Sequence, residues 1–203
     1  MDLSGKVCVI TGASSGIGKS LSIKFASKGA SVALAARRKS KLTSITDEIK
    51  QSGGNAIGIK TDITKNIECK SLIDETLDQY GRIDLLLLGA GVSMWTPFEK
   101  ISDISFFKDV MDTNYTGAVH CVHAALPHLI SSKGMVVTCS TAQAIVGFTN
   151  HSGYAASKHA LHGFLDTLDM ELDGKVLFLE AFLGWIRGTG MRSNAFGPDG
   201  KKM

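Results

Sequence analysis

Short apolar runs alternate with amphipathic stretches along the whole chain, and this alternation constrains the fold more than any other feature. The runs are near-continuous in hydrophobicity, as in parallel strands covered on both faces, and they lie at Val7–Ile10, Val32–Ala36, Ala56–Ile59, Leu85–Leu88, Met135–Cys139 and Val176–Phe182. The stretches between them predict helices at about Gly16–Lys28, Ser40–Gln51, Asn66–Tyr80, Ser105–Ser131 and Gly153–Leu172. This series predicts an α/β fold with a doubly wound parallel sheet of Rossmann type.

Length and composition fit one soluble domain spanning residues 1–203, with no repeat or linker. The chain has 22 Lys+Arg and 19 Asp+Glu, a net charge of +3, and no basic stripe, which argues against nucleic-acid binding. No apolar run approaches the roughly 20 residues that a membrane span requires. The first strand starts almost at once, so we expect no secretory leader. With four scattered cysteines and no C-x-x-C pair, a cytoplasmic protein with reduced core thiols is expected.

A glycine-rich turn follows the first predicted strand and opens the first predicted helix. It runs from Thr11 to Gly18, with glycines at positions 12, 16 and 18. Glycines permit a tight turn and a close approach of backbone to a pyrophosphate, whose charge the N-terminus of the helix attracts. An ordinary strand–helix turn is the alternative. The strand before, the helix after and the further βα units favour a dinucleotide site.

Tyr154 and Lys158 lie four residues apart in the last predicted helix. Side chains at i and i+4 share one face of a helix, so the ammonium of Lys158 can stand near the phenol of Tyr154. A nearby cation favours phenolate and is expected to lower the tyrosine pKa from its usual value near 10. The spacing therefore predicts that Tyr154 is a general acid or base.

These motifs resemble the short-chain dehydrogenase/reductase family, in its short, single-domain, NAD(P)(H)-dependent branch. The glycine turn, Asn114 within a long predicted helix, Ser140 after the fifth strand and the Tyr-x-x-x-Lys pair occur in the order of that family. The resemblance extends to about Thr189. It implies hydride transfer between a nicotinamide cofactor and an alcohol or carbonyl carbon.

The resemblance also implies catalytic roles. Tyr154 would exchange the proton, while Lys158 would lower its pKa and bind the nicotinamide ribose. Asn114 would hold a water that links Lys158 to solvent, and Ser140 would stabilise the developing oxyanion. Thr141 competes with Ser140, because the segment leading to Tyr154 is one residue longer than in many relatives. Asn114 could instead be an ordinary polar residue that kinks its helix.

The implied cofactor contacts are spread over the ends of several strands; they are Gly12, Ser14, Ser15, Gly16, Ile17, Gly18, Arg37, Arg38, Asp62, Ile63, Ala90, Gly91, Asn114, Tyr154, Lys158, Gly184, Ile186 and Thr189. The second strand ends in arginines, without the acidic residue that binds the ribose hydroxyls of NAD. Arg37 can pair with a 2′-phosphate, so NADP(H) is predicted over NAD(H), although a solvated basic turn is the alternative. Asp62 would contact the adenine, or would be a turn or helix-capping aspartate.

The chain departs from the family pattern at three places. Gly89-Ala90-Gly91 stands where relatives carry Asn-Asn-Ala-Gly, so the side-chain bonds of that turn are replaced or lost. Leu183 replaces a proline, and Gly188 shifts Thr189 by one position. The chain ends before the family's seventh strand, so Val176–Phe182 is expected to be an apolar edge strand unless another segment or subunit covers it.

Two functions remain open after these departures. The leading hypothesis is an NADP-dependent oxidoreductase acting on a small or lipophilic alcohol or carbonyl. The alternative is a non-catalytic nucleotide-binding or assembly subunit of the same fold; a flavodoxin-like domain would not need Tyr154 and Lys158. The family implies a homodimer or homotetramer, for which the apolar face at Leu161, Phe164 and Leu168 is suited, unless that face packs on the sheet.

Histidines occur as two i,i+3 pairs on predicted helices, His120 with His123 and His159 with His162. Neither pair has a third residue of suitable type spaced to complete a metal site. We therefore predict no metal.

Overall fold

The computed structural model describes residues 2–203 and contains a six-stranded parallel sheet with helices on both faces. The strands are β1 Val7–Thr11, β2 Ser31–Ala36, β3 Asn55–Lys60, β4 Leu85–Leu88, β5 Met135–Thr141 and β6 Leu177–Leu183. All six predicted runs are confirmed as strands, with ends shifted by at most two residues. Their order is β3-β2-β1-β4-β5-β6, which reverses between β1 and β4. Ligands of doubly wound sheets bind at the carboxyl ends of the strands beside such a reversal.

Six α-helices connect or follow the strands; they are α1 Gly16–Ala26, α2 Lys39–Gln51, α3 Asn66–Tyr80, α4 Phe106–Met111, α5 Gly117–Ser132 and α6 Ser152–Leu172. Three short 3-10 turns lie at Phe98–Lys100, Ala142–Ala144 and Arg192–Asn194. Within residues 2–203, no helix combines the length and the apolar character that crossing a bilayer would take.

The helix predicted over about Ser105–Ser131 is confirmed as one continuous helical run over residues 106–132, but it contains a π-helical turn at Asp112–Thr116 that separates α4 from α5. Asn114 lies in this turn, and its amide exchanges two hydrogen bonds with the backbone of Val92. Asn114 Oδ1 accepts from Val92 N at 2.8 Å, and Asn114 Nδ2 donates to Val92 O at 2.9 Å. These two hydrogen bonds stabilise the irregular turn of the helix. π turns of this kind often mark functional sites.

The core forms two apolar layers, one on each face of the sheet. The four leucines of β4 show the division: Leu86 and Leu88 pack towards α3, α5 and α6, and Leu85 and Leu87 pack towards α1 and α2. Successive side chains of a strand point to opposite faces, so a strand covered on both faces can be apolar throughout.

Strand β6 forms the edge of the sheet and pairs only with β5. Leu177 and Leu179 are about half exposed, at 54% and 52%. The predicted apolar edge strand is therefore confirmed.

The apolar face of α6 packs within the chain. Leu161 is buried in the core, and Phe164 and Leu168 pack against the same cluster. This is the alternative arrangement foreseen for that face, so these side chains lend no support to a dimer.

Candidate active site

The turn between β1 and α1 brings backbone segments together more closely than side chains would permit. Gly12 has a φ of +69°, and a Cβ there would lie 2.6 Å from the carbonyl oxygen of Gly89. A Cβ on Gly18 would lie 2.5 Å from the carbonyl oxygen of Gly12. Ser15, at the N-cap of α1, makes no side-chain capping bond. The turn therefore offers closely packed glycine backbone and a helix N-terminus, which fits a pyrophosphate.

The Thr11 hydroxyl supports the turn after β4, where the asparagines of the family pattern are missing. Its hydroxyl donates to Leu87 O at 3.2 Å and accepts from the backbone N–H groups of Gly89 and Ala90 at 3.1 and 3.3 Å. Gly91 then passes close to the π turn, since a Cβ there would lie 3.2 Å from Asn114 Oδ1. The side-chain hydrogen bonds of the missing asparagines are thus replaced by those of Thr11 on β1.

Arg38, rather than Arg37, reaches the glycine turn. Its Nη2 donates to Ser14 Oγ at 2.9 Å and to Ser15 Oγ at 3.1 Å. Both arginines are exposed at the end of β2. The structure therefore places an accessible guanidinium against the serines of the turn.

Asp62 and Ile63 lie directly after β3 and have different environments. Asp62 Oδ1 accepts from the N–H and the hydroxyl of Thr64, as in a turn aspartate, and a contact of Asp62 with the adenine stays a prediction. Ile63 is buried against Gly117, where a Cβ would lie 2.8 Å from its side chain. Its carbonyl oxygen accepts from Cys69 Sγ at 3.4 Å, which fixes the segment.

Ser140 and Thr141 end β5 and point to opposite faces of the sheet. Ser140 is 5% exposed, and its hydroxyl is buried without a hydrogen-bond partner among the described residues. Thr141 Oγ1 instead accepts from Gln143 N at 3.4 Å. A buried hydroxyl without a partner costs free energy unless it binds something. This favours Ser140 over Thr141 for a contact with a ligand.

Tyr154 and Lys158 stand on adjacent turns of α6, as their spacing predicts. Lys158 Nζ lies 5.9 Å from the centroid of the Tyr154 ring and donates to Cys139 O at 3.3 Å. Ser157, on the turn between them, accepts from Asn114 Nδ2 at 2.9 Å and donates to Tyr154 O at 2.7 Å. Short contacts therefore lead from the glycine turn through Asn114 to this part of α6.

The expected lowering of the Tyr154 pKa is wrong for this structure. Burial raises the pKa of Tyr154 to about 12, because the phenolate would lose its hydration. Burial also lowers the pKa of Lys158, which is 5% exposed. The Lys158 ammonium lies 5.9 Å from the centroid of the Tyr154 ring and donates to Cys139 O, and no hydrogen bond joins it to the phenol oxygen among the described residues. Tyr154 is thus a protonated phenol at neutral pH, which suits a proton donor.

The segment after β6 returns to the glycine turn. A Cβ on Gly16 would lie 3.2 Å from the carbonyl oxygen of Thr189, so the two backbones touch. Gly184 and Ile186 are exposed in the same segment. The shift introduced by Gly188 therefore leaves Thr189 beside the predicted cofactor site.

Sequence reasoning missed an aromatic wall beside Tyr154. The ring of His151 lies 6.0 Å from that of Tyr154 and 4.8 Å from that of Trp95. Trp95 also meets Trp185 at 5.5 Å, and the guanidinium of Arg192 lies 4.5 Å from its ring centroid. No short motif carries this signal, because the residues come from three separate loops. Ser157 was missed too, although its place between Tyr154 and Lys158 could have suggested it.

Three of the four paired helix histidines have a ring nitrogen within hydrogen-bonding distance of a protein oxygen. His120 Nδ1 lies 3.0 Å from Ile63 O, His159 Nδ1 lies 2.9 Å from Ala155 O, and His162 Nδ1 lies 2.6 Å from Glu180 Oε2. In the part of the chain described, no three potential metal-ligating side chains cluster.

Comparison with known proteins gives consistent results. The family model described as short chain dehydrogenase matches residues 6–198. The chain is 38% identical over 201 residues to 11-beta-hydroxysteroid dehydrogenase 1A of Arabidopsis thaliana, covering 98% of this chain and 58% of that protein. It thus spans little more than half the length of that relative.

Two solved structures share the fold. An alcohol dehydrogenase from the archaeon Thermococcus sibiricus, complexed with 5-hydroxy-NADP, has a TM-score of 0.85 at 25% identity, covering 98% of this chain and 81% of that one. A 7 alpha-hydroxysteroid dehydrogenase complexed with NADH and 7-oxo glycochenodeoxycholic acid has a TM-score of 0.88 at 29% identity, covering 95% and 76%. Together with the glycine turn, the Asn114 bonds and the Tyr154–Lys158 pair, the match to the family model and the sequence identity to the Arabidopsis protein show that the chain belongs to the short-chain dehydrogenase/reductase family.

Proposed function

We propose that the protein transfers a hydride between NADP(H) and a lipophilic alcohol or carbonyl compound, with Tyr154 as the general acid or base. One observation carries the proposal. The glycine turn touches the segment after β4, Gly91 touches Asn114, and Asn114 bonds to Ser157 between Tyr154 and Lys158. A dinucleotide cradle and a proton donor are thus linked by direct contacts at the carboxyl edge of the sheet.

The nicotinamide supplies the hydride chemistry when bound, and the protein supplies position and charge. In carbonyl reduction, the Tyr154 hydroxyl donates a proton to the substrate oxygen. The Ser140 hydroxyl, which has no protein partner, donates a hydrogen bond to the same oxygen as negative charge develops. The ammonium of Lys158 stabilises the phenolate that remains. The amide of Asn114 fixes Ser157 and thereby the turn of α6 that carries both groups.

NADP(H) is proposed over NAD(H) because of the guanidinium at the glycine turn. Arg38 reaches Ser14 and Ser15 from the end of β2, where no carboxylate is available for the ribose hydroxyls. A guanidinium there can bind a 2′-phosphate through two hydrogen bonds. The solved relatives carry an NADP derivative in one case and NADH in the other, so they favour neither cofactor.

Arg38→Ala is expected to weaken NADPH binding by roughly 1.5–3 kcal/mol, the range for a hydrogen bond to a charged group, and to leave NADH binding nearly unchanged. Titration of both cofactors by fluorescence measures this. Arg37→Ala removes the same charge from the neighbouring residue and is expected to have the smaller effect. Equal affinity of the wild type for NADPH and NADH would contradict the assignment.

A lipophilic substrate is proposed because of the aromatic wall. Trp95 contacts Trp185, and both Trp95 and Phe148 lie against His151, whose ring is 6.0 Å from that of Tyr154. The relatives named as hydroxysteroid dehydrogenases point in the same direction. Bulky polycyclic ketones are therefore expected to be reduced with a higher kcat/KM than acetone.

The pH dependence follows from the raised pKa of Tyr154, about 12. Alcohol oxidation needs the phenolate, whose fraction rises with pH at every pH below the tyrosine pKa. Oxidation is therefore expected to accelerate about tenfold per pH unit between about pH 6 and pH 9, whereas reduction uses the phenol and shows no such rise. Initial rates in both directions test this. An oxidation rate that levels off near neutral pH would show a lowered pKa in the complex.

A nucleotide-binding or assembly subunit without turnover is the second candidate. The exposed apolar strand β6 favours it, because such an edge invites another strand or subunit. NADPH binding without reduction of any carbonyl tested would select this candidate. A homodimer or homotetramer is compatible with either function, and sedimentation at several concentrations would decide the oligomeric state.

A further inference from the structure

The segment after β6 folds back on the loop after β4 and holds Arg192 beside that loop. Phe196 N donates to Ser93 O at 2.8 Å, and Trp95 N donates to Phe196 O at 3.0 Å. The Phe196 side chain is buried in the apolar cluster at this end of the sheet. Arg192 begins the 3-10 turn that leads into Phe196, and its carbonyl oxygen accepts from Ala195 N at 3.1 Å. The backbone at Arg192 is therefore fixed next to Trp95.

Trp95 is fixed in turn to the start of α6, through its two neighbours in the chain. Met94 Sδ accepts from Gly153 N at 3.1 Å. Thr96 N donates to Asn150 O at 3.0 Å. Bonds on both sides of Trp95 thus tie its backbone to the residues that lead into the helix of the proposed proton donor. The position of the indole relative to that helix is set by the fold.

The aromatic wall runs from Arg192 to Tyr154. The guanidinium of Arg192 lies 4.5 Å from the centroid of the Trp95 ring. The rings of Trp95 and His151 are 4.8 Å apart, and those of His151 and Tyr154 are 6.0 Å apart. His151 is buried, and its Nδ1 lies 2.9 Å from Thr149 O, which restrains the ring. The wall therefore has a cation at one end and a phenol at the other.

The charge of Arg192 is not neutralised by the protein. None of the ion pairs that residues 2–203 form includes Arg192, or Arg187 in the same segment. Arg192 is exposed, and its contact with the Trp95 ring restrains the guanidinium. A guanidinium presents a planar fork of N–H donors that binds a carboxylate through two hydrogen bonds. A cation–π pair that only stabilises the segment is the alternative.

We propose that Arg192 is a specificity-determining residue that binds a carboxylate carried by the lipophilic substrate. The apolar skeleton of the substrate lies along Trp95 and His151, and its carbonyl group reaches Tyr154. The role in substrate choice rests on the proposed dehydrogenase function, whereas the carboxylate site on the aromatic wall does not. The substrate class is a polycyclic keto acid, or the corresponding hydroxy acid, whose carboxylate lies at the end remote from the reacting carbon.

The two tryptophans of the chain, Trp95 and Trp185, both belong to the wall, so quenching of intrinsic fluorescence reports a ligand bound there. The probes are dehydrocholate, a tetracyclic keto acid, and its methyl ester, which has the same skeleton without the charge. The full chain is expected to bind the acid about tenfold or more tightly than the ester, the usual gain from hydrogen bonds between charged groups. Arg192→Gln is expected to remove this preference, and Arg192→Lys is expected to restore part of it.

Arg187→Gln is the matched control, because it removes the same charge from the same segment and leaves the contact with Trp95 intact. It is expected to keep the preference for the acid. The proposal would be overturned by wild-type chain that binds neither probe or binds both equally. A preference that survives Arg192→Gln, or that is lost equally in Arg187→Gln, would also overturn it.

Turnover separates this proposal from the dehydrogenase function. Binding that depends on Arg192, without reduction of either probe, would reject the dehydrogenase function and support the carboxylate site. Reduction of the ester and the acid with equal KM would do the reverse. In an active chain, Arg192→Gln is expected to raise KM for the keto acid about tenfold, with kcat and the kinetics of the ester nearly unchanged, because the lost contact is made equally in the ground and transition states.

Discussion

Tyr154→Phe is expected to lower kcat for carbonyl reduction by about 10²–10⁴-fold, the usual contribution of a general acid. The substitution removes only the hydroxyl. The ring remains packed against the apolar cluster of Met94, Phe106 and Val110, with the Lys158 ammonium over its face. Affinity for NADPH and the free energy of unfolding are therefore expected to change little. The measurement is NADPH oxidation with a bulky ketone, together with a cofactor titration of the same preparation.

Tyr80→Phe is the control for this prediction. Tyr80 lies at the end of α3, and its hydroxyl donates to Asn55 Oδ1 at 3.2 Å, remote from the glycine turn. The Tyr80→Phe substitution removes the same hydroxyl oxygen from a tyrosine outside the site and is expected to leave kcat unchanged. Undiminished turnover in Tyr154→Phe would mean that another group delivers the proton.

Gly18→Ala is expected to destabilise the fold by about 1–3 kcal/mol, the cost of forcing a methyl group into a packed site, and to abolish NADPH binding. The new Cβ would lie 2.5 Å from the carbonyl oxygen of Gly12 and 3.2 Å from Ala13 Cα, both backbone atoms. The turn and the start of α1 would have to separate, which would open the cradle. Urea unfolding and cofactor titration measure the two effects.

Gly163→Ala provides the comparison, because Gly163 is also helical but has no atom within 4 Å of its would-be Cβ. It is expected to stabilise the protein by up to about 1 kcal/mol through helix propensity. If Gly18→Ala were as stable as Gly163→Ala and bound NADPH, close backbone packing would not explain the glycine turn.

Most of the fold could be predicted from the sequence, because continuous apolar runs such as Leu85–Leu88 leave few choices besides a buried parallel strand. The π turn at Asn114 could not, because it depends on bonds to Val92, which lies 22 residues earlier. The support of the turn after β4 by Thr11 is likewise a contact between distant segments.

The site was predicted less completely than the fold. Spacing alone places Tyr154 near Lys158, since helix geometry is local. The direction of the Tyr154 pKa shift depends on burial by other segments, and there the prediction failed. Arg37 and Arg38 are neighbours in the sequence, which does not show which of them reaches the glycine turn. Only the tertiary structure shows that the Arg38 side chain reaches Ser14. The aromatic wall is formed by residues from three separate loops, so no short sequence motif predicts it.

The transfer of deuterium from 4-deuterated NADPH to a bulky ketone tests the central claim most directly. Deuterium is expected on the carbinol carbon of the product with the wild type, and essentially no product is expected with Tyr154→Phe. Bound cofactor without labelled alcohol from any ketone tested, or an equal yield of labelled alcohol from Tyr154→Phe, would contradict it.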